Sequence, residues 1–145
     1  LNYRLTDLQA ALGLSQLKRY PAMLAKRSEL AGIYNNVLNP ELVKTQFIPP
    51  ECQTAHHIFP VLVPQAVRKD LFNFARSQQI GVNVHYIPVY RHPYYQSSGK
   101  YGPCPNMDTY YSQTITLPLH THLSNTEVTE VAHLVNSFLG KRYAN

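Results

Sequence analysis

The pattern that most limits what this chain can fold into lies near its start, where Thr6-Asp7-Leu8-Gln9 opens an apolar run. A hydroxyl at the cap and an amide three residues on can each satisfy a backbone N–H that the first helical turn leaves open. The run that follows carries Leu8, Ala10, Ala11, Leu12, Leu14 and Leu17, which fall on more than one helical face. Such a helix is stable only where several sides are covered, so it is predicted to lie between domains or subunits. Any fold that contains it has to find it a partner surface.

Pro21 suits the first turn of a second helix over 21–38, whose apolar positions Leu24, Leu30, Ile33, Tyr34, Val37 and Leu38 form one stripe before Asn39-Pro40 stops it. Ile48-Pro49-Pro50 reads as a linker. Residues 58–63 read as a strand, which Pro60 would confine to an edge or a bulge because it cannot donate to a ladder. A third helix is expected over 65–79 with Val67, Leu71, Phe74 and Ala75 inward and Gly81 just past its end. Val82, Val84 and Tyr86 alternate with Asn83 and His85, the period of a half-buried strand. Residues 91–105 are rich in Pro, Tyr, Gly and Ser and read as loop. A short helix near 108–112 leads to a strand over 114–117 that Pro118 closes. Ser124-Asn125-Thr126-Glu127 is a second capping box, opening a terminal helix with Val128, Val131, Val135 and Phe138 inward and an end at Gly140. The predicted class is α+β, a short and mostly antiparallel sheet with helices over one face.

With 145 residues, a hydrophobic fraction of 44% and a charged fraction of 14%, the chain is an ordinary folded protein of one domain, or of one small domain and a linking helix. No apolar run reaches the roughly 18–20 residues of a membrane span. The opening Leu1-Asn2-Tyr3-Arg4 carries no initiator Met and no signal pattern, and reads as a piece of a longer gene product. Cys52 and Cys104 are too few for a disulfide framework and are expected as free thiols in a reducing cytoplasm. A net charge of +5 with eleven tyrosines invites a nucleic-acid reading. The basic residues, however, are isolated pairs such as Lys18-Arg19 and Arg68-Lys69, which solvated helix surfaces commonly carry, so no nucleic-acid partner is expected. His56-His57, His120 and His122 with the two cysteines lack paired metal-ligand spacing, and no metal site is expected.

Three segments resemble one family. Residues 2–17, opening Asn2-Tyr3-Arg4-Leu5-Thr6-Asp7-Leu8-Gln9, are the most specific; Gly81-Val82-Asn83-Val84-His85-Tyr86-Ile87-Pro88-Val89 with His92-Pro93-Tyr94-Tyr95 is the second; Thr116-Leu117-Pro118-Leu119 with its capped helix is the third. Together they resemble the end of the DegT/DnrJ/EryC1/StrS nucleotide-sugar aminotransferases, and the second segment with Cys104-Pro105-Asn106 most resembles the pseudaminic-acid branch. The resemblance implies the small C-terminal domain of a type I fold that uses pyridoxal 5'-phosphate (PLP). It implies a homodimer with active sites at the subunit interface, and amination of a UDP-linked 4-keto-6-deoxy sugar with glutamate as donor. Residues 1–20 would be the interdomain or interface helix and 21–145 the small domain. The family's Schiff-base Lys and the Asp that pairs with the pyridine nitrogen precede the segment matching Asn2. None of Lys18, Lys26, Lys44, Lys69, Lys100 or Lys141 stands in that Lys context. The chain alone is therefore expected to hold no PLP, to carry no catalytic residue and to be inactive. Two other readings stand beside this one: a free-standing dimerisation or binding module, and a sugar dehydratase of the same family, in which His replaces the Schiff-base Lys.

The resemblance carries over to few residues. Asn2 matches the Asn that reaches the cofactor phosphate of the neighbouring subunit, where an uncharged amide donates without repulsion; its plainer role is to turn the chain into the helix. Arg4 either helps with that phosphate or braces the interface. His85 and Tyr86 belong to the stretch beside the sugar nucleotide, and strand alternation would send them to opposite faces. His85 can bond a sugar hydroxyl or a diphosphate oxygen, or simply a neighbouring carbonyl. Tyr94 and Tyr95 would line the nucleotide pocket or pin their own loop. At Tyr90 the family usually has His, and this sequence departs from it.

Overall fold

A computed structural model describes residues 3–99, 102 and 104–143. Its elements run α1 (Asp7–Val37), β1 (Lys44–Thr45), β2 (Phe59–Leu62), α2 (Gln65–Ser77), a 3-10 turn (Val89–Arg91), α3 (Pro93–Ser97), α4 (Pro105–Gln113), β3 (Thr114–Leu117) and α5 (Asn125–Tyr143). The three strands form one antiparallel sheet in the order β1-β2-β3, so the α+β class holds.

Both capping boxes form. The Gln9 amide N–H donates to the Thr6 hydroxyl and the Gln9 side chain accepts from the Thr6 N–H. At α5 the Ser124 N–H donates to the Glu127 carboxylate at 2.7 Å. The first and second predicted helices, however, are one: α1 runs 31 residues straight through Pro21. Proline removes one i→i−4 bond and crowds the preceding turn, but the remaining ladder on either side carries the helix across that gap. α5 likewise continues past Gly140. An interior glycine costs a helix about 1 kcal/mol relative to Ala, too little to end it when Leu139 beside it is buried.

Only the second half of α1 enters the core. Leu30, Ala31 and Tyr34 are buried there with Val61 and Val63 from β2 and its exit, Leu71 and Ala75 from α2, Ile115 and Leu117 from β3, and Val128, Ala132, Val135 and Leu139 from α5. Tyr34 stacks on Phe59 with ring centroids 4.8 Å apart and donates its hydroxyl to the Pro118 carbonyl at 2.9 Å. Asn136 of α5 closes the end of α1: its Nδ2 donates to the Val37 carbonyl, and its Oδ1 accepts from the Asn39 N–H. The first half of α1 leaves Leu8, Leu12, Leu14 and Leu17 between 62% and 82% exposed.

Pro60 sits in the central strand, not at an edge. Thr116, its register partner on β3, turns both backbone groups toward Asn83, so no ladder bond to Pro60 is lost on that side. On the other side the pairing with β1 ends at Val61↔Thr45. Pro60 therefore occupies the position at which the central strand has no ladder partner to disappoint.

Candidate functional site

The segment that carries the sequence-nominated residues begins where α2 ends. Gln79, not Gly81, takes the left-handed backbone (φ 61°). The N–H groups of Gln79 and Ile80 return to the carbonyls of Arg76 and Ala75, closing the helix by a Schellman pattern. Val82 is then buried, and Asn83 exchanges two backbone bonds with Thr116, at 3.1 and 2.8 Å, along the free side of β3. Here the predicted strand shrinks to a single bridge. The expected alternation fails with it. His85 and Tyr86 do not point to opposite faces: their rings meet edge to face with centroids 4.5 Å apart.

His85 is half-buried. Its Nδ1 lies 2.8 Å from the Thr116 hydroxyl and its Nε2 lies 3.4 Å from the Asn83 amide nitrogen. The Asn83 amide oxygen accepts from the Val84 N–H at 2.8 Å. Tyr86 is 66% exposed. Beyond the buried Pro88 the chain makes the turn Val89–Arg91, and α3 follows within the stretch expected to be all loop. Tyr94 on α3 is 80% exposed and Tyr95 half-buried, with their rings perpendicular at 5.2 Å.

The turn is clipped to α4, which starts at Pro105, earlier than expected. The Tyr90 hydroxyl and the Arg91 guanidinium both donate to Asp108 Oδ1. The Arg91 guanidinium also lies 5.3 Å from the centre of the Tyr111 ring. The Tyr90 hydroxyl, and then Arg91, hold the Asp108 carboxyl below its ordinary value. Tyr90, where the sequence departs from the family's His, thus has a partner of its own.

Asn2 lies outside the described residues. Arg4 is exposed just ahead of the α1 cap, and a guanidinium is a good match for phosphate. The structure brings His85 and Tyr86 together, and Tyr94 and Tyr95 together. Asn83, Thr116 and Asp108 escaped the sequence reading. Asn83 and Thr116 look like ordinary strand residues, and Asp108 meets Tyr90 only across a separation of 18 positions. A groove of about 680 Å³ lies between the end of α2 and α5, beside Gln79, His120 and Glu130, and none of the nominated residues lines it.

A Schiff-base lysine acts as a nucleophile through its neutral amine, which burial or a neighbouring cation favours. Among the described residues, Lys18, Lys44, Lys69 and Lys141 are exposed, and Lys26 is held by Glu29 and Asn125. The lysines described here therefore do not fit the anchor of such a cofactor. Both cysteines are free and exposed, and among the described residues no helix is long and apolar enough to cross a membrane.

Residues 1–136 match the DegT/DnrJ/EryC1/StrS aminotransferase family. A Helicobacter pylori UDP-4-amino-4,6-dideoxy-N-acetyl-beta-L-altrosamine transaminase is 32% identical over 138 residues, 92% of this chain and 37% of that protein. The solved Helicobacter pylori PseC, an aminotransferase involved in pseudoaminic acid biosynthesis, superposes with a TM-score of 0.87 at 30% identity. That match covers 97% of this chain and 39% of PseC. A Streptococcus pneumoniae protein assigned as a sugar aminotransferase and solved in PLP form gives a TM-score of 0.85 at 27% identity, over 95% of this chain and 36% of that one. The chain thus spans less than two fifths of the length of each of these relatives.

Proposed function

The chain belongs to the DegT/DnrJ/EryC1/StrS aminotransferase family, and from that membership we propose that it forms the C-terminal part of a PLP-dependent nucleotide-sugar aminotransferase. The observation that carries this reading is the match to PseC over 97% of the chain. The substrate is a UDP-linked 4-keto-6-deoxy sugar, the amino donor is glutamate, and the working enzyme is a cytoplasmic homodimer. Residues 1–20 form the interdomain and interface helix and 21–145 the small domain. The exposed leucines Leu8, Leu12, Leu14 and Leu17 support that division, because apolar faces of this size are normally covered.

In this reading the chain binds and orients. Asn2 and Arg4 donate to the cofactor phosphate across the subunit interface, an amide and a guanidinium suited to an anion. His85, Tyr86, Tyr94 and Tyr95 form the wall beside the sugar nucleotide: the imidazole offers a polar atom to the ligand, and the phenol rings offer faces on which a uracil can stack. PLP, held by the large domain, supplies the electron sink for moving the amino group. In this reading the anchoring lysine belongs to the large domain, so the isolated chain is inactive.

Incubation with PLP, borohydride reduction and intact-mass measurement test this reading. The expected result is no stoichiometric adduct. One adduct per chain mapped to a single lysine would overturn it and make the chain a cofactor-binding protein in its own right. The same exposed face on α1 also suits a free-standing dimerisation module. Size-exclusion chromatography separates the two: a discrete dimer favours the module, concentration-dependent aggregation the detached domain.

A further inference from the structure

The hydrogen bonds around His85 determine which of its nitrogens carries the proton. The Val84 backbone N–H can only donate, so the oxygen of the Asn83 amide must be the atom that faces it, at 2.8 Å. That fixes the orientation of the amide and leaves its NH2 group facing His85 Nε2, at 3.4 Å. An amide NH2 also only donates. A proton on Nε2 would set N–H against N–H, so Nε2 presents its lone pair and the ring proton resides on Nδ1. That proton has an acceptor in place, the Thr116 hydroxyl oxygen at 2.8 Å. Thr116 is 5% exposed and sits in the middle of β3, so it is held firmly. The Nδ1 side of the ring is the half-buried one, and the Nε2 side lies at the exposed edge.

We propose that Asn83 and Thr116 are positioning residues that keep the His85 proton on Nδ1 and leave Nε2 as an outward-facing acceptor, so that this side chain takes a hydroxyl group of its ligand and not a diphosphate oxygen. The assignment of a ligand class rests on the proposed placement of His85 beside the sugar nucleotide; the tautomer itself does not. The diphosphate of a nucleotide sugar, esterified at both ends, has no hydrogen to give at neutral pH and meets only a lone pair at Nε2. A sugar hydroxyl donates to it directly. The Asn83 NH2, at 3.4 Å a long and weak partner, is readily displaced by such a donor.

The test is two-bond 1H–15N correlation NMR of the 15N-labelled 145-residue chain near pH 8, with the His85 signals identified by their loss in His85→Gln. The expected pattern is a pyrrole-type Nδ1 and a pyridine-type Nε2, the reverse of the tautomer that free histidine prefers. A pyrrole-type Nε2 would overturn the proposal. Asn83→Asp, at an exposed position, replaces the NH2 by an oxygen and is expected to move the proton to Nε2; an unmoved proton would overturn the role of Asn83. Thr116→Val is expected to abolish the bias, but because Thr116 is buried the Asn83 variant carries the test if that protein does not fold. Added dimethyl phosphate, a diester with no O–H to donate, is expected to leave the Nε2 resonance where it is, and a saturable shift would overturn the ligand class. These readouts need neither cofactor nor partner, so they stand or fall separately from the aminotransferase reading.

Discussion

At the scale of single residues, the polar groups that matter most bind parts of the chain far apart in sequence. Asn136 satisfies the carbonyl of Val37 and the N–H of Asn39 with one amide, nearly a hundred positions away. Removing it leaves both backbone groups without their partner, and an unsatisfied buried group costs about 1–3 kcal/mol. Asn136→Ala is therefore expected to lower the urea midpoint by that order, with the slope unchanged; an unaltered midpoint would show that water replaces the amide. Asp108 gives a pH signature. Its carboxyl is held below its ordinary value of 3.8, first by Tyr90 and then by Arg91. A depressed folded value means that the stabilisation is present above 3.8 and is lost as pH falls through and below it. Asp108→Asn should consequently lose less stability than the parent between about pH 5 and pH 3, read from urea melts across that range. Equal acid sensitivity in both proteins would disprove this. Neither residue announced itself in the sequence. Asn136 stands next to the apolar stripe of a helix, and nothing local says that the end of another helix will arrive beside it.

At the scale of elements, local chemistry announced the starts of helices better than their ends. Thr6 and Ser124 each have a partner three residues on, and both caps form. Pro21 and Gly140 carry boundary signals and are interior positions. Their penalties are a few kcal/mol at most, and a long ladder with one buried face outweighs them. Pro21 also offers a test. Pro21→Ala restores the missing N–H to Leu17, and since the first half of α1 makes no core contact, helicity and local amide protection should rise with little change in the global unfolding midpoint. A large gain in the midpoint would mean that this half is coupled to the core. The contrary case is Leu71, buried between α2 and the sheet: Leu71→Ala should lower stability by about 2–5 kcal/mol, and a loss below about 1 kcal/mol would mean that the core relaxes around the gap.

At the scale of the whole molecule, a well-packed α+β unit carries a long helix whose first half has nothing to lie against. Leu8, Leu12, Leu14 and Leu17 remain outside the core, and about 25 cal/mol accompanies each Å² of apolar surface that leaves water. The chain should therefore self-associate. Leu12→Glu combined with Leu17→Glu is expected to shift its size-exclusion profile toward monomer while leaving the thermal midpoint of the core within a few degrees. A profile unchanged by both substitutions would place the self-association elsewhere.

Read alone, the sequence specifies the class of the fold, the two helix caps, the inward stripes of α2 and α5, and the apolar character of the first helix. Each of these rests on contacts within about four positions along the chain, where spacing and residue type are sufficient. The resemblance in residues 2–17, 81–95 and 116–119 pointed to the family. It takes the packed chain to place Pro60 in a central strand, to make one bridge and not a strand of 82–86, and to bring Asn83 and Thr116 to the two sides of His85. Those outcomes depend on which segments lie side by side once residues 18 to 31 positions apart have been brought together. Closure is a property of the packed core as a whole, and no local pattern contains it.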